Sequence, residues 1–269
     1  MNSVLLAPPT RRMSHSQLQQ YSNCPYSFYL QRIARDENGE RLKQLTAGWF
    51  LHGTAVHAAL EAWERSGRTI NAVAYFYAEY DGLIAEQMLT HPEPWEWLRG
   101  GRGKTREADI AQRRKQGAEQ VAKYVAWAPL QPFQVWTLPD GNPALEVPFT
   151  VRLGDVEVIG FIDAIWQWLG SDELEPVDYK TGSQPPEDAL QLGLYSLAIQ
   201  RAFSEDSRHG RYFMLRDWQH EQLDLTQYTG EALTEMYATA AAGIQAGEFP
   251  AKPGSCFTCT VKRHCKYSR

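Results

Sequence analysis

Apolar and polar positions repeat with two different periods along this chain. Over residues 48–65 the apolar positions recur at helical spacing: Val56, Leu60 and Trp63 form one stripe, with His57 beside it and Glu61 one turn on. The same spacing predicts helices over 72–88 and 106–127, separated by the breaker His91-Pro-Glu-Pro-Trp and a Gly- and Arg-rich loop at 100–105. Nearer the start, Ser16 caps a short helix over 16–22. Cys24-Pro25 interrupts it, a second helix runs over 26–35, and 36–40 is a polar loop. Beyond residue 144 the period shortens to two. Strands are predicted over 144–153, 156–168 and 174–180, punctuated by Gly154-Asp155, by 170–173 and by Thr181-Gly182. A helix starting at Pro185-Pro186 and ending near Phe203, strands over 210–216 and 222–225, and a helix over 231–246 complete a mixed α/β layout without internal repeats.

Composition narrows the class. With 43% hydrophobic and 22% charged residues, the 269-residue chain is globular, neither disordered nor a disulfide miniprotein. Its net charge of −5 excludes a uniformly basic nucleic-acid coat but leaves room for a local basic groove. No run of about 18 apolar residues is present, so no membrane span is expected. The apolar stretch Val4-Leu5-Leu6-Ala7 is too short for a signal peptide, so the expected location is a reducing cytoplasm, that of a host if the chain is phage-encoded. Residues 1–13 are expected to be a flexible arm before a single domain over 14–269.

Four cysteines carry the first chemical signal. Cys24 stands alone, while Cys256, Cys259 and Cys265 form a Cys-x2-Cys-x5-Cys tail. Four thiolates so placed fit a tetrahedral zinc or an iron–sulfur cluster. The one-plus-three arrangement, with Pro25 after the remote cysteine, suits a cubane better than zinc. Joining residues more than 230 positions apart, such a clamp would stabilise the fold by roughly 5 kcal/mol on a chain-entropy model.

The second signal is acidic. Gly160-Phe-Ile-Asp163-Ala-Ile-Trp is followed by Pro176-Val-Asp178-Tyr-Lys180-Thr-Gly. Asp178 and Lys180 share a strand face, and pairing with the preceding strand would bring Asp163 alongside. Two carboxylates held together need a proton or a cation between them, and hard oxygen ligands suit Mg²⁺ or Mn²⁺. The following helix carries Gln191 and Tyr195 at i, i+4, and His52 and His57 open an upstream helix.

This ordered set resembles the RecB-like branch of the PD-(D/E)XK nucleases: His57 in LHGTAVHAALE, Asp163 in GFIDAIW, Asp178 and Lys180 in VDYKTG, and Gln191 and Tyr195 in QLGLY. The opening SHSQLQQYSNCPYSFYLQRI and the one-plus-three cysteines are similar to that branch's iron–sulfur subgroup, which includes the CRISPR-associated RecB-like exonucleases and the AddB nuclease domain. The resemblance spans residues 14–265. It implies a restriction-endonuclease-like α/β core, a central mixed sheet flanked by helices, with an iron–sulfur region formed by both chain ends, 14–35 and 250–269. It implies a catalytic set of Asp163, Asp178, Lys180, Gln191 and Tyr195, a Mg²⁺ or Mn²⁺ bound by His57, Asp163 and Asp178, and a [4Fe–4S] cluster on Cys24, Cys256, Cys259 and Cys265. Glu146 in LEVPF corresponds less securely to an acidic position of some relatives. The implied activity is a metal-dependent DNA exonuclease in recombination, repair or phage DNA processing. Its partners would be DNA, single-stranded or with free ends, and a recombination or helicase protein. A catalytically weak DNA-binding accessory protein and a zinc-stabilised interaction module are the alternatives.

The remaining features are weaker. Gly103-Lys104-Thr105 resembles the end of a P-loop, but residue 98 is Leu where that loop needs Gly, which rejects an ATPase. Arg99, Arg102, Lys104, Arg106, Arg113, Arg114 and Lys115 form one basic patch, and Lys252, Lys262, Arg263, Lys266 and Arg269 a second. Either is a solvated face or a phosphate-tracking surface. His15, His91, His209, His220 and His264 lack partners at ligand spacing, and His52 is expected to pack or cap.

Overall fold

The thirteen-residue strand β4 (Val156–Trp168) organises the sheet in this computed structural model, which describes residues 11–268 except residue 102. Along one edge β4 pairs antiparallel with β3 (Leu145–Leu153) and then with β2 (Phe133–Val135). Along its other edge it pairs first with β1 (Arg11–Met13), in parallel, and then with β5 (Leu174–Lys180), antiparallel. The sheet continues through β6 (His209–Met214), parallel to β5, to the antiparallel β7 (Gln222–Asp224). On the second edge β1 covers Val156 to Val158 and β5 covers Ala164 to Gln167. Residues 159–163 lie in the gap where the two neighbours part.

Helices cover both faces. On one, α1 (His15–Asn23), α6 (Leu190–Phe203) and α7 (Gly230–Gln245) bury Leu18, Leu192, Leu233 and Tyr237 against Val147, Val151, Val158 and Ile162. On the other, α3 (Gly48–Arg65), α4 (Ala72–Thr90) and α5 (Arg106–Trp127) bury Val56, Trp63, Phe76 and Tyr124 against Trp166, Val177 and Tyr179. The three helices of the second layer approach closely at Gly117, where an added Cβ would sit 2.2 Å from the Phe76 ring. A sheet covered on both sides needs apolar residues at consecutive positions. Leu174 to Tyr179, all buried, supply them.

The middle of the sheet switches faces. Val156, Val158 and Ile162 pack into the first core, whereas Ala164 and Trp166, of the same parity, pack into the second. The same switch separates Val147 from Leu145 on β3. Glu146 and Asp163 stand opposite one another at the crossover, and Glu146 takes a left-handed backbone, φ 46°. This preserves the register while turning both strands over.

Several expectations are corrected. The arm expected over 1–13 ends in β1, because Arg11 to Met13 pair with Val156 to Val158. Residues 1–10, and Arg102 and Arg269 of the basic patches, lie outside the described residues. Ser14 caps α1 in place of Ser16: its Oγ accepts the Gln17 amide and Gln17 Oε1 accepts the Ser14 amide, a reciprocal box. Helix α2 (Pro25–Arg32) stops short of residue 35, since Arg35 bridges to Arg41 and closes the 36–40 loop. Pro185-Pro186 does not start α6. The helix starts at Leu190, whose amide donates to Asp188 Oδ1, while the amide of the preceding Ala189 donates to the Tyr228 hydroxyl.

Candidate active site

Strand β5 diverges from β4 after Val177, which leaves the backbone of Tyr179 without a strand partner on that side. Two side chains take its place. Asp163 Oδ2 accepts the Tyr179 amide at 2.9 Å, and His57 Nε2, from α3, reaches the Tyr179 carbonyl at 2.7 Å. A carbonyl only accepts, so Nε2 carries a proton, and Nδ1 is the ring nitrogen that faces Asp163 Oδ2, 3.3 Å away.

Glu146 joins them from the crossover on β3. Ligand atoms of His57, Glu146 and Asp163 all lie within 4.8 Å of one another. Burial, then the Asp163 charge, raises Glu146 to a pKa of about 7. Burial, then the Asp178 charge, raises Asp163 well above the usual carboxylate range. One nitrogen lone pair and two carboxylates that resist ionisation together are a donor set for a hard divalent cation.

Asp178, expected among the metal ligands with Asp163, is not one of this compact group. Only 2% exposed, it faces Lys180, whose Nζ lies 2.5 Å from Oδ2, and Tyr195, whose hydroxyl donates to Oδ1 at 3.3 Å. The ammonium sits off the hydrogen-bond axis, so Oδ2 has an ion-pair partner but no hydrogen-bond donor among the described residues. Lys180 Nζ also donates to Gln191 Oε1 at 3.0 Å, and Gln191 Nε2 donates to the Tyr195 hydroxyl at 2.8 Å. Asp178, Lys180, Gln191 and Tyr195 thus close into a ring, with Gln191 and Tyr195 on one face of α6. Phe149 steadies Tyr195 edge-on, ring centres 5.7 Å apart, and folds over Gly160, where an added Cβ would sit 2.7 Å from it.

A family model described as the PD-(D/E)XK nuclease superfamily matches residues 12–266. The chain belongs to the PD-(D/E)XK nuclease superfamily. It is 35% identical to the Gene 69 protein of Mycobacterium phage D29 and 34% identical to the Gene 69 protein of Mycobacterium phage L5, each over 94% of this chain and 95% of the relative. The solved "Crystal structure of SSO0001" covers 82% of this chain and 96% of its own, at 11% identity and a TM-score of 0.37.

In this PD-(D/E)XK nuclease, membership implies DNA as substrate and a Mg- or Mn-type divalent metal, for which the acidic group is the site at hand. The four cysteines, all unpaired, line one cavity of about 580 Å³ between α1, α2 and the tail. Backbone bonds tie that region together: the Tyr26 amide to the Pro250 carbonyl at 3.2 Å, and the Leu45 amide to the Thr260 carbonyl at 2.7 Å. His264 does not compete for the cavity, since its Nε2 meets the Lys43 carbonyl at 2.9 Å.

Four of the six described members of the first basic patch are already paired, Arg106 with Glu107 at 2.8 Å. Arg113 holds Asp109 at 2.8 Å, Arg114 grips both oxygens of Asp81 on α4, and Lys115 faces Glu119. Two histidines matter more than their sequence positions suggest. His52 Nε2 bonds Gln120 Oε1 at 2.8 Å, and Gln120 donates on to the Thr181 carbonyl, bracing the end of β5. His15 shares a cavity with Lys180 and Gln191, and its Nδ1 is buried with no hydrogen-bond partner among the described residues. Helical spacing shows neither contact.

Proposed function

We propose that this nuclease is a RecB-like, Mg²⁺- or Mn²⁺-dependent DNA exonuclease of phage DNA processing, recombination or repair. The reading rests on one observation above the others: His57, Glu146 and Asp163 meet beside the Asp178–Lys180 pair at the gap in the sheet. The mycobacteriophage origin of two relatives supports the phage setting, and the order of the motifs supports the exonuclease.

A divalent cation, when bound, lowers the pKa of its water and neutralises charge on the phosphate. His57 Nδ1, Glu146 and Asp163 would hold it, and Asp178 Oδ2, which has no hydrogen-bond donor among the described residues, offers a further oxygen. The Tyr179 backbone fixes His57 and Asp163 in place, so the ligands need little reorganisation. Of the three N–H groups of Lys180, Gln191 Oε1 accepts one, and the ion pair with Asp178, off the hydrogen-bond axis, occupies a second side of the ammonium. The third is available to a phosphate oxygen, where it would stabilise the charge that grows during attack. Gln191 and Tyr195 are positioning residues for that ammonium.

We further propose that Cys24, Cys256, Cys259 and Cys265 hold a [4Fe–4S] cluster. Their shared cavity supports this, as does the pairing of chain segments around it. The role is structural, since phosphodiester hydrolysis transfers no electrons.

Protein purified without oxygen should absorb at about 400 nm. It should digest end-labelled linear DNA with Mg²⁺ or Mn²⁺ but not with EDTA, and spare closed circles. Lys180→Ala should abolish digestion. Cleavage of circles would overturn the exonuclease reading, near-wild-type digestion by Lys180→Ala the site, and a colourless zinc protein the cluster.

A further inference from the structure

The two basic patches meet. A groove of about 720 Å³ has Trp95, Arg99 and Lys104 on one wall and Phe257, Lys262 and Arg263 of the cysteine-bearing tail on the other. We propose that this groove is a single-stranded DNA subsite, separate from the cleavage site, in which Trp95 and Phe257 stack on bases and the four cations take phosphates. The proposal rests on the nuclease reading for its choice of DNA.

Charge and exposure both point to this ligand. The two carboxylates lining the groove are neutralised: Glu107 by Arg106 at 2.8 Å and Asp109 by Arg113 at 2.8 Å. The cations keep their charge, because their protein contacts are neutral. Lys104 Nζ donates to Gln112 Oε1, Lys262 Nζ to the Phe257 carbonyl and Arg263 Nη2 to the Trp95 carbonyl, and Arg99 has no ion pair among the described residues. Those last two bonds seat one cation beside each aromatic. Trp95 is 60% exposed and Phe257 63%, an unfavourable place for large apolar rings unless something covers them.

Single-strand sites combine a cationic track with open aromatic faces, because every unpaired base has a face to stack. A duplex hides its base faces. An acidic peptide would use the cations and leave both rings in water. The groove also reaches the start of α3: Leu45 lines it, and Gly48 begins the helix that carries His57. At 1.5 Å per residue, His57 lies about 14 Å along that helix. At the stacked spacing of 3.4 Å that is about four nucleotides, and a strand extended on the protein needs fewer.

The test is fluorescence anisotropy of the full chain with labelled dT20, rU20 and a blunt duplex, in EDTA, across a KCl series. Trp95→Ala/Phe257→Ala should weaken dT20 binding at least tenfold and leave the salt slope unchanged. Trp95→Phe/Phe257→Tyr should keep affinity within threefold. Arg99→Ala/Arg263→Ala should reduce the salt slope by about 1.4, at about 0.7 for each phosphate no longer neutralised. With metal, the aromatic pair should raise KM for a 20-mer and leave dinucleotide hydrolysis unchanged. Unchanged dT20 binding by a cooperatively melting Trp95→Ala/Phe257→Ala protein would overturn the subsite. Equal losses for the duplex would overturn base stacking, and tighter binding of rU20 would overturn the choice of DNA. Without metal the assay reads no hydrolysis, so its failure leaves the nuclease reading standing, and binding survives if that reading fails.

Discussion

Asp163 completes the hydrogen bonding of Tyr179: its Oδ2 accepts, at 2.9 Å, an amide that a strand partner would otherwise take. The residue therefore has a structural duty beside its chemical one, and two substitutions separate them. Asparagine keeps an acceptor and loses the charge, whereas alanine leaves a buried N–H unsatisfied. Both variants should be inactive. In metal-free urea unfolding, Asp163→Ala should be less stable than Asp163→Asn by about 1–3 kcal/mol.

Glu146 makes the metal-free protein sensitive to alkali. Unfolded, it loses its proton near the ordinary carboxylate range, and folded only at about 7. Between those values the folded state holds more protons, so its contribution to stability is present at low pH and is lost as pH rises through 7. Urea midpoints in EDTA at pH 5 and 8 should diverge more for the wild type than for Glu146→Gln. Isothermal titration of Mn²⁺ near pH 6.5 should release protons into the buffer.

His52 works in the opposite sense. Burial holds its imidazole neutral down to a pKa of about 4. The unfolded chain binds this proton near 6.5, so stability contributed by the neutral ring is present above that pH and is lost as pH falls toward 4. The loss is about 3 kcal/mol at 1.36 kcal/mol per pH unit. The wild type should lose that much more unfolding free energy than His52→Gln between pH 7.5 and 4, measured by urea denaturation.

Gly117 is where propensity and packing disagree. Alanine is the better helix former by about 1 kcal/mol, yet its Cβ would collide with Phe76 and approach His52 at 3.1 Å. Gly117→Ala should therefore destabilise the protein by about 1–3 kcal/mol, read as a lower melting temperature.

The second helix layer and the central strands were legible in the sequence. Helices α3 and α5 and strands β4 and β5 begin and end at the expected residues, because each has a sustained period and a clear breaker at its ends. Strands β1 and β2, three residues each, carry no period and exist only through pairing with β4. At the site, His57, Asp163 and the residues around Asp178 stand out in the sequence by their motifs. The place of Glu146 depends on a left-handed residue inside a strand, which local propensity argues against. The pairing of Arg114 with Asp81 joins two helices 33 residues apart in sequence, beyond the reach of helical spacing.

The hydrogen bonds that link Lys180 to Asp178 through Gln191 and Tyr195 all run in one direction. The ammonium donates to the Gln191 oxygen, the Gln191 nitrogen to the Tyr195 hydroxyl, and that hydroxyl to Asp178, whose other oxygen faces the ammonium again. The three hydrogen bonds run one way from ammonium to carboxylate, and the Lys180–Asp178 ion pair closes the loop, so each link polarises the next. Turning the Gln191 amide over would set donor against donor at Lys180. The loop thus behaves as one unit with a single orientation. Opening it anywhere exposes two loose ends at once, so losses from cutting it twice should fall well short of the sum of two single cuts.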